Sequence, residues 1–401
     1  MSRARDLADY VSTGVTSTEL DKLDGLTATT DELNLVDGSV TGPLSHRNMV
    51  INGAMQVAQR GTGFSNVHDA QYAADRFRFS CANEDQLQLS ITRENSGPTG
   101  FSNSIRLNVT TAESAIDSNE YARITTAIEG QDLQHLDYGA SGAKTTTISF
   151  WVKSALTGTY AIILYQVDGT KIIGTTYTIN IADTWEKKTI TFVGNTAQAI
   201  TNDNTLGIQI EWMLLAGSLY TSTDNSSWDT FSNGRFAYGH TAAWGTNTSH
   251  DFWLSGVQWE VGTVATPFEH RSYADALRRC KRYFQELFGR GHYVEAYTVW
   301  FLTATNWSVS LHYPEEMRAV PSAVFIEGTP VDSSGGTVGV NNWSVYLAGN
   351  WKGISTMSTS VLSPVAMRLN GSTNDSVTAG QSGGLYAGSN CYIQLTAEIF
   401  S

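Results

Sequence analysis

Two pairs of adjacent carboxylates, Glu84-Asp85 and Glu315-Glu316, are the residues of this sequence best suited to acid–base catalysis. A glycoside hydrolase needs two carboxylates that face the same sugar. Neighbours on a strand point to opposite faces, so each pair is better suited to a solvated surface. The stretch 139–145 has the composition of a phosphate-binding loop but not its spacing. We therefore predict that the protein is not an enzyme.

Oxygen-bearing side chains crowd one segment of the sequence, which contains Asp224, Asn225, Asp229 and Asn233. A calcium ion accepts such ligands. Turns rich in Asp and Asn have the same composition without a metal, and we favour that interpretation. The three cysteines are scattered and none has metal-ligand spacing. The sequence therefore predicts neither a bound metal nor a cofactor.

Aromatic side chains lie beside amides and carboxylates in two segments that could bind sugars. Sugars present flat apolar faces ringed by hydroxyls, so their sites combine an aromatic platform with polar groups. The candidates in residues 220–250 are Trp228, Tyr238, Trp244 and Asn247. Those in the second segment are Trp343, Tyr346 and Trp351. The alternative is that these rings fill the ends of a β-sandwich or an interface between copies of the chain.

Strands must hold these side chains in place, because the composition favours β-structure. Only 16% of the residues are charged, whereas 11 Trp, 17 Tyr and 15 Phe supply stiff apolar area. Apolar and polar residues alternate over 208–214, and 160–167 is apolar on both faces, as in a central strand. In 252–261 the alternation slips at Gly256, which predicts a β-bulge. The pattern predicts an antiparallel jelly-roll sandwich over residues 46–271.

One helix interrupts the strands and is predicted to connect two domains over residues 272–290. Ser272 can cap its N-terminus, with Asp275 three residues on. Four apolar residues then recur at helical spacing, namely Leu277, Cys280, Phe284 and Leu287. The basic residues between them are predicted to be solvated or paired with acidic neighbours. Strands resume over 291–401, which is predicted to form a smaller C-terminal β-sandwich.

A short repeat precedes the strands, because residues 18–25 and 31–38 have nearly the same sequence. Each unit has too few apolar positions to bury a core by itself, so the repeat favours association with copies of the chain. We predict that residues 1–45 form a thin stem. The alternative is a disordered acidic leader whose repeat is accidental.

The charge and the hydropathy of the chain exclude several classes of partner. A net charge of −13 argues against binding to nucleic acid, which needs basic patches. The N-terminus lacks the apolar core of a secretory signal, and no apolar run approaches the length of a membrane span. We therefore expect synthesis in a cytoplasm, with no membrane insertion.

Several stretches resemble tail-fibre or receptor-binding proteins of tailed phages, especially short-tailed, podovirus-like phages of marine bacteria. The most specific match is residues 48–61, Asn-Met-Val-Ile-Asn-Gly-Ala-Met-Gln-Val-Ala-Gln-Arg-Gly, which is similar to the entry into that family's jelly roll. The start of the chain, Ser2-Arg3-Ala4-Arg5-Asp6-Leu7-Ala8, is similar to the virion-proximal end of such fibres. Further matches lie at residues 72–77, 256–262, 265–273, 279–284 and 317–322.

The resemblance implies a homotrimeric tail fibre that recognises the host cell in the assembled virion. It implies that Arg3, Arg5 and Leu7 attach the fibre to other tail proteins, and that the chain binds a bacterial cell-surface glycan without cleaving it. Two alternatives stay open: a tailspike-type polysaccharide depolymerase, and a structural fibre without a receptor of its own. Enzymatic tailspikes usually carry a long parallel β-helix, and residues 150–400 show no run of short repeats.

Overall fold

The structure is a computed structural model that describes residues 46–67, 69–82, 86–113, 115–288, 294–326, 343–388 and 391–399. The predicted stem over residues 1–45 lies outside the described residues, and with it the predicted attachment residues Arg3, Arg5 and Leu7. The carboxylate pair Glu84-Asp85 also lies outside them.

The first half of the described chain is built almost entirely of strands. These are β1 Gly63–Val67, β2 Gln71–Ala74, β3 Phe77–Ala82, β4 Gln88–Glu94, β5 Ser104–Thr111, β6 Tyr121–Glu129, β7 Thr146–Ser154, β8 Gly158–Gln166, β9 Lys171–Ile179, β10 Glu186–Phe192, β11 Leu206–Ala216, β12 Asp229–Thr230 and β13 Asp251–Val261. Single turns of 3-10 helix lie in the connections, among them Ser218–Tyr220, Asn233–Arg235 and Trp244–Thr246.

These strands form two antiparallel sheets packed face to face. The six-stranded sheet has the order β1-β4-β5-β13-β7-β10, and the seven-stranded sheet has the order β12-β9-β8-β11-β6-β3-β2. The predicted all-β, antiparallel, jelly-roll-like sandwich is confirmed. The pairing of β13 with β7 shifts register between Ser255 and Gln258, and Gly256 has a φ of +61°, as the predicted bulge requires.

Alternating apolar residues from both sheets fill the space between them. Three tryptophans in this core, Trp212, Trp244 and Trp259, have no solvent exposure. Strand β8 is apolar on both faces because both are covered: its inner residues meet the core, and Ala161 and Ile163 meet a second apolar cluster on the outer face. The outer cluster shows that a further layer of chain lies over the seven-stranded sheet.

The segment 48–61 packs against strand β13 through residues whose types the contacts require. The Asn48 side chain donates to the Val257 carbonyl at 3.0 Å and accepts from the Trp259 N–H at 3.1 Å. A Cβ on Gly53 would lie 2.0 Å from the Val257 oxygen, so only glycine fits there. The side chain of Asn52 bonds the backbone of Val57. The segment that precedes the first strand of the sandwich is thereby bonded to its last strand, β13.

The connecting helix is shorter than predicted. Helix α1 spans Tyr273–Lys281, and Ser272 caps it by accepting from the Asp275 N–H at 3.2 Å, as predicted. Phe284 and Leu287, predicted to continue the helix, lie instead in strand β14 Phe284–Leu287. That strand pairs with the last strand of the chain, which satisfies its backbone and buries both side chains.

The C-terminal half contains strands β15 Val294–Phe301, β16 Asn306–His312, β17 Ser322–Ile326, β18 Trp343–Leu347, β19 Asn350–Leu362, β20 Ala366–Thr373, β21 Ser382–Ala387 and β22 Tyr392–Thr396. Six of them close into an antiparallel barrel in the order β15-β16-β20-β19-β18-β21, and β14, β22 and β17 form a separate sheet. The predicted small sandwich is thus a closed barrel. Pairing of β15 with β21 removes the open edges that two separate sheets would leave.

Among the described residues, no helix is long and apolar enough to cross a membrane.

Candidate functional site

A cavity of about 290 Å³ lies on the outer face of the seven-stranded sheet. Strands β6, β8 and β11 form its floor, and residues 217–240 form its rim. Its lining residues are Tyr121, Arg123, Tyr165, Gln209, Glu211, Tyr220, Phe231, Asn233 and Phe236. We call this cavity the sheet pocket. Its volume is at the lower end of the roughly 300–1,000 Å³ typical of small-molecule sites.

The rim is an ordered loop because its polar side chains bond its own backbone and the sheet. Asn225 is buried, and its amide donates to the Arg235 carbonyl at 2.7 Å. Arg235 in turn pairs with Asp229 at 2.7 Å. The Phe231 N–H donates to the Thr170 carbonyl at 2.7 Å, which fastens the loop to the edge of the sheet. These bonds hold the aromatic side chains of the rim over the floor.

Five aromatic rings form a continuous wall along the sheet pocket. Tyr121 meets Tyr220 and Phe236 edge-on, at centroid distances of 5.5 and 5.2 Å. Phe236 meets Phe231 at 5.8 Å, and Phe231 meets Tyr165 at 5.6 Å. Tyr121, Tyr165 and Phe231 are half-buried, so part of their surface faces solvent. The wall offers apolar ring faces and phenol groups to a ligand.

Polar groups stand on the floor between these rings. Arg123 Nη1 donates to Glu211 Oε2 at 2.5 Å, and the Arg123 guanidinium lies 5.0 Å from the Tyr121 ring and 4.9 Å from the Phe236 ring. Arg123 Nε is buried without a hydrogen-bond partner among the described residues. The amide of Gln209, which is 98% buried, and Glu211 Oε1 likewise bond no described residue. Polar groups in a cavity rarely stay unpaired, so the Gln209 amide and Glu211 Oε1 are positioned for a ligand or water, whereas Arg123 Nε is enclosed.

The electrostatics of the floor reflect burial and pairing together. Burial raises the pKa of Glu211, and the Arg123 guanidinium opposes that rise. Burial alone would lower the pKa of Arg123, but Glu211 together with Tyr121 and Asp69 more than compensates and raises the pKa above its usual value. Of the described residues that line the sheet pocket, Arg123 is the only cation and Glu211 the only carboxylate. The ion pair therefore leaves the lining without net charge.

His240 fastens the end of the rim to strand β8. Its Nδ1 accepts from the Ala161 N–H at 3.2 Å, and its Nε2 donates to the Ala242 carbonyl at 2.7 Å. Burial lowers the pKa of His240 from 6.5 to about 4. A second proton, on Nδ1, would place two N–H donors, those of His240 and Ala161, against each other. The neutral ring is thus required by the fold.

We expect the protein to lose stability as the pH falls from about 6.5 to about 4, because only the unfolded chain binds a proton at His240 in that window. The contribution is complete above pH 6.5 and its loss amounts to about 3 kcal/mol, at roughly 1.4 kcal/mol per pKa unit. Urea unfolding at about pH 7 and about pH 4.5 measures it, with His240→Asn as the non-titrating comparison. Equal pH dependence in both proteins would contradict this role.

Two of the predicted binding tryptophans are parts of the core. Trp244 has no exposure, and its ring packs between the sheets of the sandwich. Trp343 is 1% exposed and lies inside the barrel against Phe288, at a centroid distance of 4.9 Å. We correct the prediction for both residues, because a ligand cannot reach a ring enclosed by the core.

The other predicted residues of the 220–250 segment lie outside the sheet pocket. Trp228 is half-buried against Tyr138, and its Nε1 donates to the Val193 carbonyl at 2.7 Å. Tyr238 is 40% exposed. Asn247 is exposed and closes a turn by accepting from the Ser249 N–H at 2.9 Å. The structure does not bring these three together.

Two of the three predicted aromatics of the C-terminal half come together on the outside of the barrel. Tyr346 and Trp351 face each other across β18 and β19, with centroids 4.8 Å apart. Tyr386 on β21 lies 4.8 Å from Trp351. Tyr346 is 39% and Trp351 48% exposed, so the rings form an accessible platform, which we call the barrel platform. Its binding of a sugar stays a prediction.

The oxygen-rich side chains of the rim are used within the rim. Asn225 and Asp229 bond Arg235, Asp224 accepts from Ser226, and Asn233 lines the sheet pocket. In the part of the chain that the structure describes, no group of three or more His, Cys, Asp or Glu side chains could hold a metal ion.

One catalytic spacing was not among the sequence predictions. Residues 380–384, Gly-Gln-Ser-Gly-Gly, match the pattern of a nucleophile elbow, which requires a sharp turn from a strand into a helix. Ser382 instead begins strand β21 of the barrel. The segment is therefore not an elbow.

The sequence predictions placed the rim near a site but missed the floor. Gln209 and Glu211 alternate with Ile208, Ile210 and Trp212 in a strand whose other face is core. Polar residues at alternate positions of a strand normally face solvent, so this pattern by itself predicts an exposed face and no site. The available signal was that this polar face stands next to strand β8, which is apolar on both faces. A covered face that contains Gln and Glu indicates a site.

No family model and no curated protein matches this sequence. The enzymatically active domain of tailspike protein 4 of bacteriophage CBA120 is structurally similar, with a TM-score of 0.30 and 14% identity, over 53% of this chain and 21% of that one. A CBM4 module has a TM-score of 0.28 and 12% identity, over 53% of this chain and 99% of that one. A family 11 carbohydrate-binding module from Clostridium thermocellum, in complex with a β-1,3-1,4-mixed-linked tetrasaccharide, has a TM-score of 0.26 and 13% identity, over 51% of this chain and 99% of that one. None of them assigns a ligand or a reaction to this chain.

Proposed function

We propose that this chain is the receptor-binding protein of a phage tail fibre and binds a bacterial cell-surface glycan in the sheet pocket, without cleaving it. The observation that supports binding is that aromatic rings line one cavity together with the polar side chains of Gln209, Arg123 and Glu211. Sugars need that combination, because each ring has an apolar face and hydroxyls at its edge.

Binding accounts for the lining of the sheet pocket better than cleavage does. Hydrolysis of a glycosidic bond uses two carboxylates about 5–10 Å apart on either side of the sugar. Among the described residues that line the pocket, only Glu211 carries a carboxylate, and it is paired with Arg123. The rival function, a polysaccharide depolymerase, predicts sustained release of reducing ends from host polysaccharide, and that assay separates the two.

Tyr165→Ala is expected to weaken adsorption to host cells by about tenfold, or roughly 1.4 kcal/mol, because it removes one half-buried ring of the wall. Binding of the labelled protein to host cells measures this, and an unchanged melting temperature shows that the fold is kept. Tyr238→Ala is the matched control, since this exposed ring does not line the pocket. Lost adsorption in Trp351→Ala with full adsorption in Tyr165→Ala would move the receptor contact to the barrel platform.

The role in the virion rests on the resemblance of residues 1–45 to fibre stems. We propose that this segment forms a homotrimeric stem through Leu20, Leu23, Leu33 and Val36 and attaches to tail proteins through Arg3, Arg5 and Leu7. Three heads on one stem raise avidity without any new contact.

Deletion of residues 1–12 is expected to give a protein that still binds host cells but is absent from purified particles. Particle composition by immunoblot measures incorporation, and full-length protein is the control. Normal incorporation of the deletion variant would place the attachment elsewhere in the chain.

A further inference from the structure

The lining of the sheet pocket contains one cation and one carboxylate, and the two form an ion pair with each other. Arg123 Nη1 and Glu211 Oε2 are 2.5 Å apart, and the two side chains are 13% and 2% exposed. Two further arginines outside the lining are also paired: Arg235 with Asp229 at 2.7 Å, and Arg78 with Asp69 at 3.7 Å. No lining residue that the structure describes offers an unpaired positive charge.

The atoms that remain available include both donors and acceptors. Glu211 Oε1 can accept, and the Gln209 amide can both donate and accept. A hydroxyl group also donates and accepts, so adjacent hydroxyls can satisfy this set. A carboxylate can only accept, and it would stand beside the Glu211 carboxylate, where like charges repel.

We propose that the sheet pocket selects an uncharged, hydroxyl-rich sugar ring and rejects sugar acids, with Gln209 and the Arg123–Glu211 pair reading adjacent hydroxyls. This inference rests on the proposed function and specifies its ligand class. The aromatic wall supplies the stacking surface, while the floor determines selectivity, because it can bind hydroxyl groups and repels carboxylates. The cavity of about 290 Å³ limits the enclosed part to a single ring, with the rest of the glycan outside.

Matched pairs of methyl glycosides test the inference, because each pair differs only at one carbon. The probes are the methyl glycosides of glucose and galactose against those of glucuronic and galacturonic acid, titrated into the full chain at neutral pH and followed by NMR or calorimetry. We expect at least one neutral member to bind at least tenfold more tightly than its acidic partner.

Glu211→Gln changes the charge of the floor and little else. Arg123 then lacks its counterion, so the preference for the neutral partner should shrink at least threefold or invert. Gln209→Leu is the second variant, and it removes hydrogen bonds without changing charge. It should weaken the binding of the neutral glycoside and leave the melting temperature unchanged. This variant keeps the inference testable should Glu211→Gln fail to fold.

The outcomes separate this inference from the function on which it rests. Equal or tighter binding of the acidic partners would overturn the selection of uncharged rings, while binding in the sheet pocket would stand. Selection that persists unchanged in both Glu211→Gln and Gln209→Leu would overturn the role of the floor. Failure of all four glycosides to bind at millimolar concentration, together with full host adsorption by Tyr165→Ala, would overturn the proposed site itself.

Discussion

Replacement of Glu398 by Ala is expected to lower the free energy of unfolding by about 3–5 kcal/mol, because it removes the carboxylate that pairs with the buried Arg76 guanidinium. Arg76 has no solvent exposure, and its Nη1 pairs with Glu398 Oε2. Glu398 Oε1 also accepts from Arg60 Nη2 at 3.1 Å. The carboxylate thus pairs with two guanidinium groups of the sandwich, and Arg60 also lies 3.8 Å from Asp75.

The surrounding contacts explain why the loss would not be repaired locally. Arg76 lies 3.5 Å from the Tyr283 ring, and Tyr283 donates to Glu129 at 2.6 Å. Arg318 ties the same region together by donating to the Ala397 carbonyl at 2.8 Å. Glu129 already accepts from Arg282 and Tyr283, and Asp75 lies 3.8 Å from Arg60. Arg60 therefore keeps one carboxylate partner, and the loss falls mainly on Arg76.

Denaturant unfolding of Glu398→Ala measures the effect, and Glu316→Ala, which removes an exposed carboxylate, is the control. The control is expected to change stability by less than about 0.5 kcal/mol. A double variant, Arg76→Met with Glu398→Leu, should recover much of the loss, because it removes the buried charge as well as its partner. A Glu398→Ala protein as stable as the wild type would show that the pair of Arg76 and Glu398 contributes nothing to the free energy of unfolding.

Trp244→Ala is expected to destabilise the sandwich by about 3–5 kcal/mol, since it empties the space of a large ring in the core. Trp244 has no exposure and belongs to the cluster that fills the space between the two sheets. Its backbone carbonyl accepts from the His250 ring at 2.7 Å, which fixes the 3-10 turn that carries it. The cavity left behind cannot close while that turn is held.

The effect on binding distinguishes a core residue from a ligand contact. At a temperature where the Trp244→Ala protein is still folded, host adsorption should equal that of the wild type while the melting temperature falls. Trp351→Ala, on the barrel platform, provides the converse comparison, because nearly half of that ring is already exposed and little stability should be lost. Lost adsorption with an unchanged melting temperature in Trp244→Ala would restore the residue to the binding site.

The architecture could be predicted from local pattern because its causes are local. Alternation along β11 and β13 identified their faces, and the slip at Gly256 identified the bulge, since both depend on residues within one strand. The cap at Ser272 was predictable for the same reason. The helix end was not, because Phe284 and Leu287 fit either a helix or a strand, and pairing with β22 decides between them.

The site depends on pairings that no local pattern contains. Arg123 reaches Glu211 because β6 pairs with β11, and Tyr165 meets Phe231 because the rim is bonded to the edge of the sheet. The sequence shows that the segment 220–250 is rich in both aromatic and polar residues. Local pattern does not show which rings face inward, so it does not distinguish the core ring of Trp244 from the pocket rings of Phe231 and Phe236.

A crystal structure with a bound oligosaccharide fragment of the host surface polysaccharide tests the central claim most directly. The account predicts one sugar ring in the sheet pocket, stacked on Tyr121, Tyr165 or Phe231, with hydroxyls bonded to Gln209 and Glu211. An oligosaccharide bound on the barrel platform, with the sheet pocket free of sugar, would contradict it.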